Sequence, residues 1–110
     1  MPWRKLNVIS QDDFEGTKKK LGSFKGVKGV IVTSSEGLPI SSTIDMEKTE
    51  KVAALITSLV KKTTAVVQAL GEESYNFLIL DTQNGNILVA PEEEQTLIVL
   101  READKTESKG

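Results

Sequence analysis

The stretch from residue 26 to residue 45 constrains the fold more than any other part of this 110-residue chain. It begins with an apolar, β-branched run, VIV at 30–32, and the turn-forming sequence Ser-Ser-Glu-Gly follows. The run favours a strand, and Gly37 can adopt the positive φ that a tight hairpin needs. Asp45 stands where a side-chain oxygen can cap a following helix. The stretch therefore predicts a β-hairpin that leads into a helix.

Residues 46–70 have the apolar periodicity of one long helix. Apolar side chains recur at three- and four-residue steps, and Gly71 follows as the kind of residue that ends helices. On a helical wheel the apolar arc spans about 160°, although a helix that lies on one sheet needs only about 100°. Leu55, Leu59 and Val66 mark one side of this arc. The extra width of the apolar arc predicts that the helix contacts a second element besides the sheet. Small neighbours such as Ser58 would let another helix approach closely.

Five strands are predicted, at residues 27–33, 38–42, 75–80, 87–90 and 96–100. In the first strand we expect Val30 and Val32 on one face and Val27 and Ile31 on the other, which requires an interior strand covered on both sides. The segment 75–80 is also apolar on both faces. Asn84-Gly85 predicts a type I′ hairpin turn between the third and fourth strands.

Together these elements predict an α+β fold. We expect a three-layer α/β/α sandwich with a five-stranded, mainly antiparallel sheet and the element order α-β-β-α-β-β-β. A weak capping signal at Ser10 and Asp13 predicts the first helix, which ends near Gly22. The domain is expected at residues 10–102, after an N-terminal arm at 1–9 and before a disordered tail at 103–110. Trp3 in the arm either packs on its own domain or anchors a partner.

Composition excludes several classes of function. The chain has 14 basic and 16 acidic residues and a net charge of −2, so bulk charge attracts neither nucleic acid nor anionic lipid. Cysteine and histidine are both absent, which removes Cys/His zinc sites and Cys or Ser–His nucleophiles. No run approaches the roughly 18 apolar residues of a membrane span, and the N-terminus lacks the apolar region of a signal peptide. We expect a cytoplasmic protein without a cofactor.

The candidate catalytic residues are scattered along the chain, and none has a recognisable base beside it. They are Ser34, Ser35, the Ser-Ser-Thr run at 41–43, Asp45, Asp81 and the acidic triplet at 92–94. The Gly-Val-Lys-Gly sequence at 26–29 invites comparison with a phosphate-binding loop, but it lacks the required spacing and leads into a strand. The acidic triplet at 92–94 is either a metal site or a solvated turn, and adjacent carboxylates in a turn lack a convergent cage. The Lys-Lys-Lys run at 18–20 is either a binding patch or a solvated helix face. We therefore predict no enzyme activity, no bound metal and no nucleotide hydrolysis by this chain alone.

Several spaced motifs resemble the Roadblock/LC7 family. The matching pieces are GVKGVIV at 26–32, EGLPI at 36–40, STID at 42–45, ILVAP at 87–91 and LIVL at 97–100. The resemblance covers roughly residues 14–101. It implies a non-enzymatic dimer in which two long helices pack together and two third strands join their sheets. On this basis we expect a dimer interface formed by Leu55, Ser58, Leu59, Lys62, Val66, Tyr75, Phe77, Leu78 and Ile79.

The resemblance implies two alternative functions. Segments 36–40 and 87–91 are most similar to dynein light chains, which bind the dynein intermediate chain. The first hypothesis is therefore a dimeric, non-catalytic light chain that supports microtubule-based movement, in the cytoplasm or in a ciliary axoneme. The alternative is a scaffold or regulator of a small GTPase, because prokaryotic and lysosomal relatives hold such GTPases. The short loop at 71–74 departs from dynein members and leaves this alternative open. The dimer partner is either a second copy or a paralogue.

Overall fold

The computed structural model describes residues 26–103, which form one antiparallel sheet and one long helix. In chain order these are β1 (Val27–Ser34), β2 (Pro39–Ser42), α1 (Met46–Ala69), β3 (Leu78–Thr82), β4 (Gly85–Pro91) and β5 (Gln95–Glu102). The strand order across the sheet is β2-β1-β5-β4-β3, and every neighbouring pair is antiparallel. The predicted α+β class and five-stranded sheet are confirmed. The predicted first helix, the N-terminal arm and residues 104–110 of the tail lie outside the described residues.

Hydrogen bonds within the turn hold the β1–β2 hairpin together. The Ser34 N–H donates to the Leu38 carbonyl oxygen at 2.8 Å, and the Ser34 hydroxyl accepts from the Leu38 N–H at 3.1 Å. Gly37 has a φ of 97°, so the predicted positive φ is confirmed. A side chain there would also meet the Thr57 hydroxyl at 3.1 Å, which shows how closely the turn approaches the helix.

Both ends of α1 carry the caps that the sequence predicts. At the N-terminus the Asp45 carboxylate accepts a hydrogen bond from the Lys48 N–H at 2.8 Å. At the C-terminus Gly71 has a φ of 89° and donates its N–H to the Gln68 carbonyl. The Glu72 N–H donates to the Val67 carbonyl, which completes a Schellman motif. These local bonds explain why the helix begins and ends where it does.

The N-cap makes a testable contribution to stability. Replacing Asp45 with Ala leaves the Lys48 N–H without its side-chain acceptor, and we expect this to cost about 1 kcal/mol of unfolding free energy. Thermal and urea unfolding followed by circular dichroism would measure the loss. Asp45→Asn, which keeps the acceptor oxygen, should remain close to the native value. Equal losses in both variants would contradict the assignment.

The sheet is buried on both faces, as its apolar pattern predicts. On the face toward α1, Ile56 of the helix packs with Ile31, Val89 and Ile98 of the strands. On the opposite face a second cluster contains Val30, Val32, Ala90, Leu97 and Val99. The predicted third layer over this second face falls on residues outside the described range. Strand β1 lies between β2 and β5, so its predicted interior position is confirmed.

Two local predictions are wrong: the face on which Val27 lies and the type of the β3–β4 turn. The pairing between strands explains both differences. Val27 packs with the cluster on the Val30 face because a register shift occurs between Val27 and Gly29, where the extra residue reverses the alternation of faces. The β3–β4 turn is not type I′, because Thr82 pairs with Gly85 and no described residue other than Gly26, Gly37 and Gly71 has a positive φ. Gly85 is instead needed for space, since a Cβ there would collide with the Arg101 carbonyl oxygen.

Contacts with the β1–β2 hairpin determine which side of α1 faces outward. The Ser42 and Thr49 hydroxyls lie 2.6 Å apart, and Gly37 lies against Thr57 further along the helix. Thr49 and Ala53 are fully buried on this side. The helix is thus fixed along β2 and β1, and its side around Leu55 has no described cover.

Candidate dimer interface

An exposed apolar strip lies along the uncovered side of α1. We call Leu55, Ser58, Leu59, Lys62 and Val66 the open flank; all five belong to the predicted interface. Leu55 is 65% exposed and Val66 is 57% exposed, whereas Leu59 is half-buried and packs at the border of the core. Ser58 and Lys62 are exposed between them. The structure therefore brings the five predicted helix residues together on one surface.

Among residues 26–103, strand β3 forms one edge of the sheet and pairs only with β4. Its apolar residues alternate between the two faces. Leu78 packs in the cluster beneath α1, whereas Ile79 is opposite Leu88, which packs in the cluster on the other face. Ile79 is 53% exposed. An exposed apolar residue on an unpaired edge strand favours aggregation unless another chain covers it.

The third strand begins later than predicted, and this changes the position of two interface candidates. The sequence predicts a strand at 75–80, but β3 spans Leu78–Thr82. The Tyr75 hydroxyl donates to the Val60 carbonyl oxygen at 3.4 Å, so Tyr75 contacts the helix instead of extending the strand. Phe77 lies just before β3 and is 41% exposed. The nine interface candidates thus fall on the open flank, on the edge strand and in the connection between them.

One exposed residue beside the open flank was not among the interface candidates. Leu70 caps the C-terminus of α1 and is 76% exposed. Its position on the helical wheel, about 60° from Leu55, was a signal that could have identified it. Leu38, which is 65% exposed, lies on the other side of the molecule beside the edge strand β2.

By length and hydropathy alone, α1 is also long and apolar enough to cross a membrane. Its contacts give a different explanation for that composition. Thr49, Ala53 and Ile56 are buried against the sheet, and two lysines, Lys61 and Lys62, are exposed in the second half of the helix. A helix that packs on a sheet needs one apolar face, and the open flank adds a second. We keep the expectation that α1 does not span a membrane.

Four of the polar residues considered for catalysis have structural roles. The Ser34 hydroxyl holds the hairpin turn, the Ser42 hydroxyl contacts Thr49, and the Thr43 hydroxyl accepts from the Val30 N–H at 2.8 Å. Asp45 caps α1. Within residues 26–103, no group of three or more His, Cys, Asp or Glu is placed to hold a metal ion, and this range includes the acidic triplet at 92–94.

Comparison with known proteins identifies the family. A model of the Roadblock/LC7 domain matches residues 14–102, which is most of the chain. The chain therefore belongs to the Roadblock/LC7 family, and the resemblance seen in the sequence is confirmed.

Several bacterial proteins of known structure share this fold. A Roadblock/LC7 domain from Streptomyces avermitilis is 18% identical, with a TM-score of 0.72, and the match covers 83% of this chain and 81% of that one. MglB from Myxococcus xanthus is 15% identical, with a TM-score of 0.77 and coverage of 86% and 79%. A structure described as MglB with tetrameric arrangement is 14% identical, with a TM-score of 0.74 and coverage of 89% and 78%. At these identities the likeness establishes the fold alone.

Proposed function

We propose that this chain is a dimeric, non-catalytic scaffold or regulator of a small GTPase. The observation that carries the proposal is the similarity of its fold to MglB and to a bacterial Roadblock/LC7 domain. The family resemblance implies that prokaryotic members hold small GTPases. The first hypothesis from the sequence, a dynein light chain that binds the intermediate chain, has no support from these structures. The alternative hypothesis is therefore the better one.

The described surface supports a dimer. The open flank presents Leu55 and Val66 to solvent, and the edge strand β3 presents Ile79 together with its unpaired backbone groups. A second chain that covers both would remove apolar surface from water and satisfy the edge. The similar MglB structure has a tetrameric arrangement, so a chain with this fold can form oligomers. We propose that the dimer, once formed, supplies the contact surface for the GTPase.

The positions of the described polar side chains support a non-catalytic role. Nucleotide hydrolysis requires a phosphate cradle, a metal held by suitable oxygens and a group that orients water. The serine, threonine and aspartate candidates of residues 34–45 are engaged in the hairpin and the helix cap. Any effect on a GTPase would then act through surface contacts that change the partner's switch segments.

Copurification tests the proposal directly. We expect the tagged full-length chain to retain a small GTPase from lysate of its source cells, and guanine nucleotide to be released from the eluted complex on denaturation. Mass spectrometry identifies the protein and chromatography identifies the nucleotide. The purified chain with GTP and magnesium should release no phosphate by itself. Retention of a dynein intermediate chain without a GTPase would contradict the proposal and favour the first hypothesis.

A further inference from the structure

An exposed apolar patch follows the margin of the sheet that β2 forms. We call Leu38, Ile40 and Met46 the hairpin patch. Leu38 is 65% exposed, Met46 is 59% exposed and Ile40 is 36% exposed. Strand β2 lies at the opposite margin of the sheet from β3, so a chain that covers the open flank and β3 would leave the hairpin patch uncovered. Large apolar side chains grouped in this way indicate a contact surface.

Contacts between the hairpin and α1 set the length of the hairpin patch. The Ser42 and Thr49 hydroxyls lie 2.6 Å apart, and Gly37 lies against Thr57, so β2 runs along the first half of α1. Met46 precedes Thr49 by three positions and lies on nearly the same side of the helix. Between Met46 and Thr57 the helix axis extends about 16 Å. About five residues of extended chain would cover a patch of this length.

Acidic side chains surround the hairpin-turn end of the patch. The Ser35 N–H donates to the Glu94 carbonyl oxygen at 3.0 Å, which holds the β4–β5 turn against the hairpin turn. Glu36, Glu93 and Glu94 are all exposed there. A segment that combines apolar and basic side chains would complement both the patch and its surroundings.

We propose that the N-terminal arm of the same chain, residues 1–9, occupies the hairpin patch. The arm contains Arg4 and Lys5, no acidic residue, and the apolar residues Trp3, Leu6, Val8 and Ile9. In the proposed arrangement Trp3 and its aliphatic neighbours cover the patch, while Arg4 and Lys5 face the acidic turn. Of the two roles considered for Trp3, this one is packing on its own domain.

The arm is long enough to reach the hairpin patch. Residues 10–25 connect it to the start of β1, and the eight residues of β1 extend about 26 Å to the hairpin turn. The first helix, predicted at 10–22, would itself span about 20 Å, and residues 23–25 add about 10 Å of extended chain. Residue 10 can therefore lie near the hairpin turn, with the whole arm available to follow β2.

The C-terminal tail does not fit the patch. The Glu102 N–H donates to the Gly26 carbonyl oxygen at 2.7 Å, so the tail leaves the sheet at the end of β1 far from the hairpin turn. Residues 104–110, DKTESKG, contain no large apolar side chain. The tail therefore offers nothing to cover Leu38 or Met46.

Charge also favours the arm over the described surface of a second copy. Residues 26–103 contain 11 acidic and 6 basic side chains, a net charge of −5. Residues 1–25 contain 6 basic and 3 acidic side chains, a net charge of +3. Two described surfaces would repel each other, whereas the N-terminal residues are attracted to the described part of their own chain.

Tryptophan fluorescence tests the proposal, because Trp3 is the one tryptophan of the chain. In the full chain we expect Trp3 to emit at a shorter wavelength, and to be less quenched by acrylamide, than in a peptide of residues 1–9. Leu38→Lys should lower the ratio of docked to free arm about tenfold and move the emission toward that of the peptide. Leu55→Lys is the matched control, since Leu55 is equally exposed, and it should leave the emission unchanged.

A variant within the arm separates undocking from misfolding. Arg4→Glu combined with Lys5→Glu alters no described residue, and we expect it to move the Trp3 emission toward that of the peptide. The circular dichroism spectrum of the Leu38→Lys variant should remain native, because the Leu38 backbone makes the hydrogen bonds of the turn. A wild-type emission equal to that of the peptide would overturn the proposal. So would an unchanged emission in both the Leu38 variant and the arm variant.

Cross-linking identifies the chain to which the docked arm belongs. The chain has no cysteine, so Trp3→Cys combined with Leu38→Cys introduces one possible pair. We expect mild oxidation to join the pair within one chain, which keeps the monomer mass on a denaturing gel. Trp3→Cys with Leu70→Cys is the control, because Leu70 is exposed at the far end of α1, and it should cross-link much less.

Two results would assign the hairpin patch to a different occupant and overturn the proposal. A cross-linked dimer would mean that the arm of a second copy covers the patch. Trp3 that is exposed in the purified chain and shielded only after a GTPase is added would mean that the arm anchors a partner. Capture of a GTPase from lysate is measured separately, so failure of the arm proposal leaves the proposed function intact.

Discussion

Leu55→Lys is expected to convert the dimer into a folded monomer at low micromolar concentration. Leu55 is 65% exposed in the single chain and lies at the N-terminal end of the open flank, which the second chain of the proposed dimer would cover. A symmetric dimer buries this residue twice, and burial of each leucine contributes about 1.5–3 kcal/mol. Loss of about 3 kcal/mol in total raises the dissociation constant by roughly a hundredfold or more. Sedimentation over a concentration series would measure the change.

Leu38→Lys provides a matched control for this experiment. Leu38 is also 65% exposed, but it lies beside β2, at the opposite edge of the sheet from β3. Its described hydrogen bonds use the backbone, where the carbonyl oxygen accepts from Ser34 and Thr33, so the side chain is free to change. We expect this variant to dimerise like the wild type. If the Leu38→Lys variant is monomeric and the Leu55→Lys variant is dimeric, the interface lies beside β2 and not on the open flank.

Gly85→Ala should destabilise the fold more than any other glycine substitution among residues 26–103. A Cβ at Gly85 would collide with the backbone carbonyl of Arg101 on the neighbouring strand, and backbone cannot move aside without breaking the β4–β5 pairing. We expect a loss of about 3 kcal/mol, with a melting temperature lower by roughly 10–20 °C. Chemical unfolding of the purified variant would measure the free energy.

The same substitution at Gly71 distinguishes the cost of a steric collision from the cost of a positive φ. Gly71 has a φ of 89°, but a Cβ there would meet no atom within 4 Å. Gly71→Ala should therefore cost only the strain of a left-handed alanine, about 1 kcal/mol. If the two glycines proved equally sensitive, close approach would not explain Gly85.

Features that depend on neighbouring residues were predictable from the sequence. Asp45 caps α1 through the Lys48 N–H three residues away, and Gly71 ends the helix through bonds to the preceding turn. Both signals are local, so residue type and spacing are sufficient. The open flank was also visible as an apolar arc wider than one sheet can cover.

Features that depend on the choice of a backbone pairing partner were not predictable. The position of Val27 follows from a register shift against β5, more than 70 residues later in the chain. Thr82 belongs to β3 because it pairs with Gly85, although nothing apolar marks it, and Tyr75 leaves the predicted strand for a contact with Val60. The pairing partner decides each case, and the apolar pattern of the segment itself does not identify that partner.

The short strand β2 limits how far assembly through the sheet can proceed. Joining two copies at their β3 edges would give a ten-stranded sheet, roughly 45 Å across, with a β2 strand at each outer margin. Strand β2 has only four residues and begins with Pro39, which has no N–H to offer a further strand. Edge pairing of this kind would therefore stop at two subunits. Assembly beyond two subunits would have to use contacts between helices and loops. A bound partner could then control how many subunits assemble.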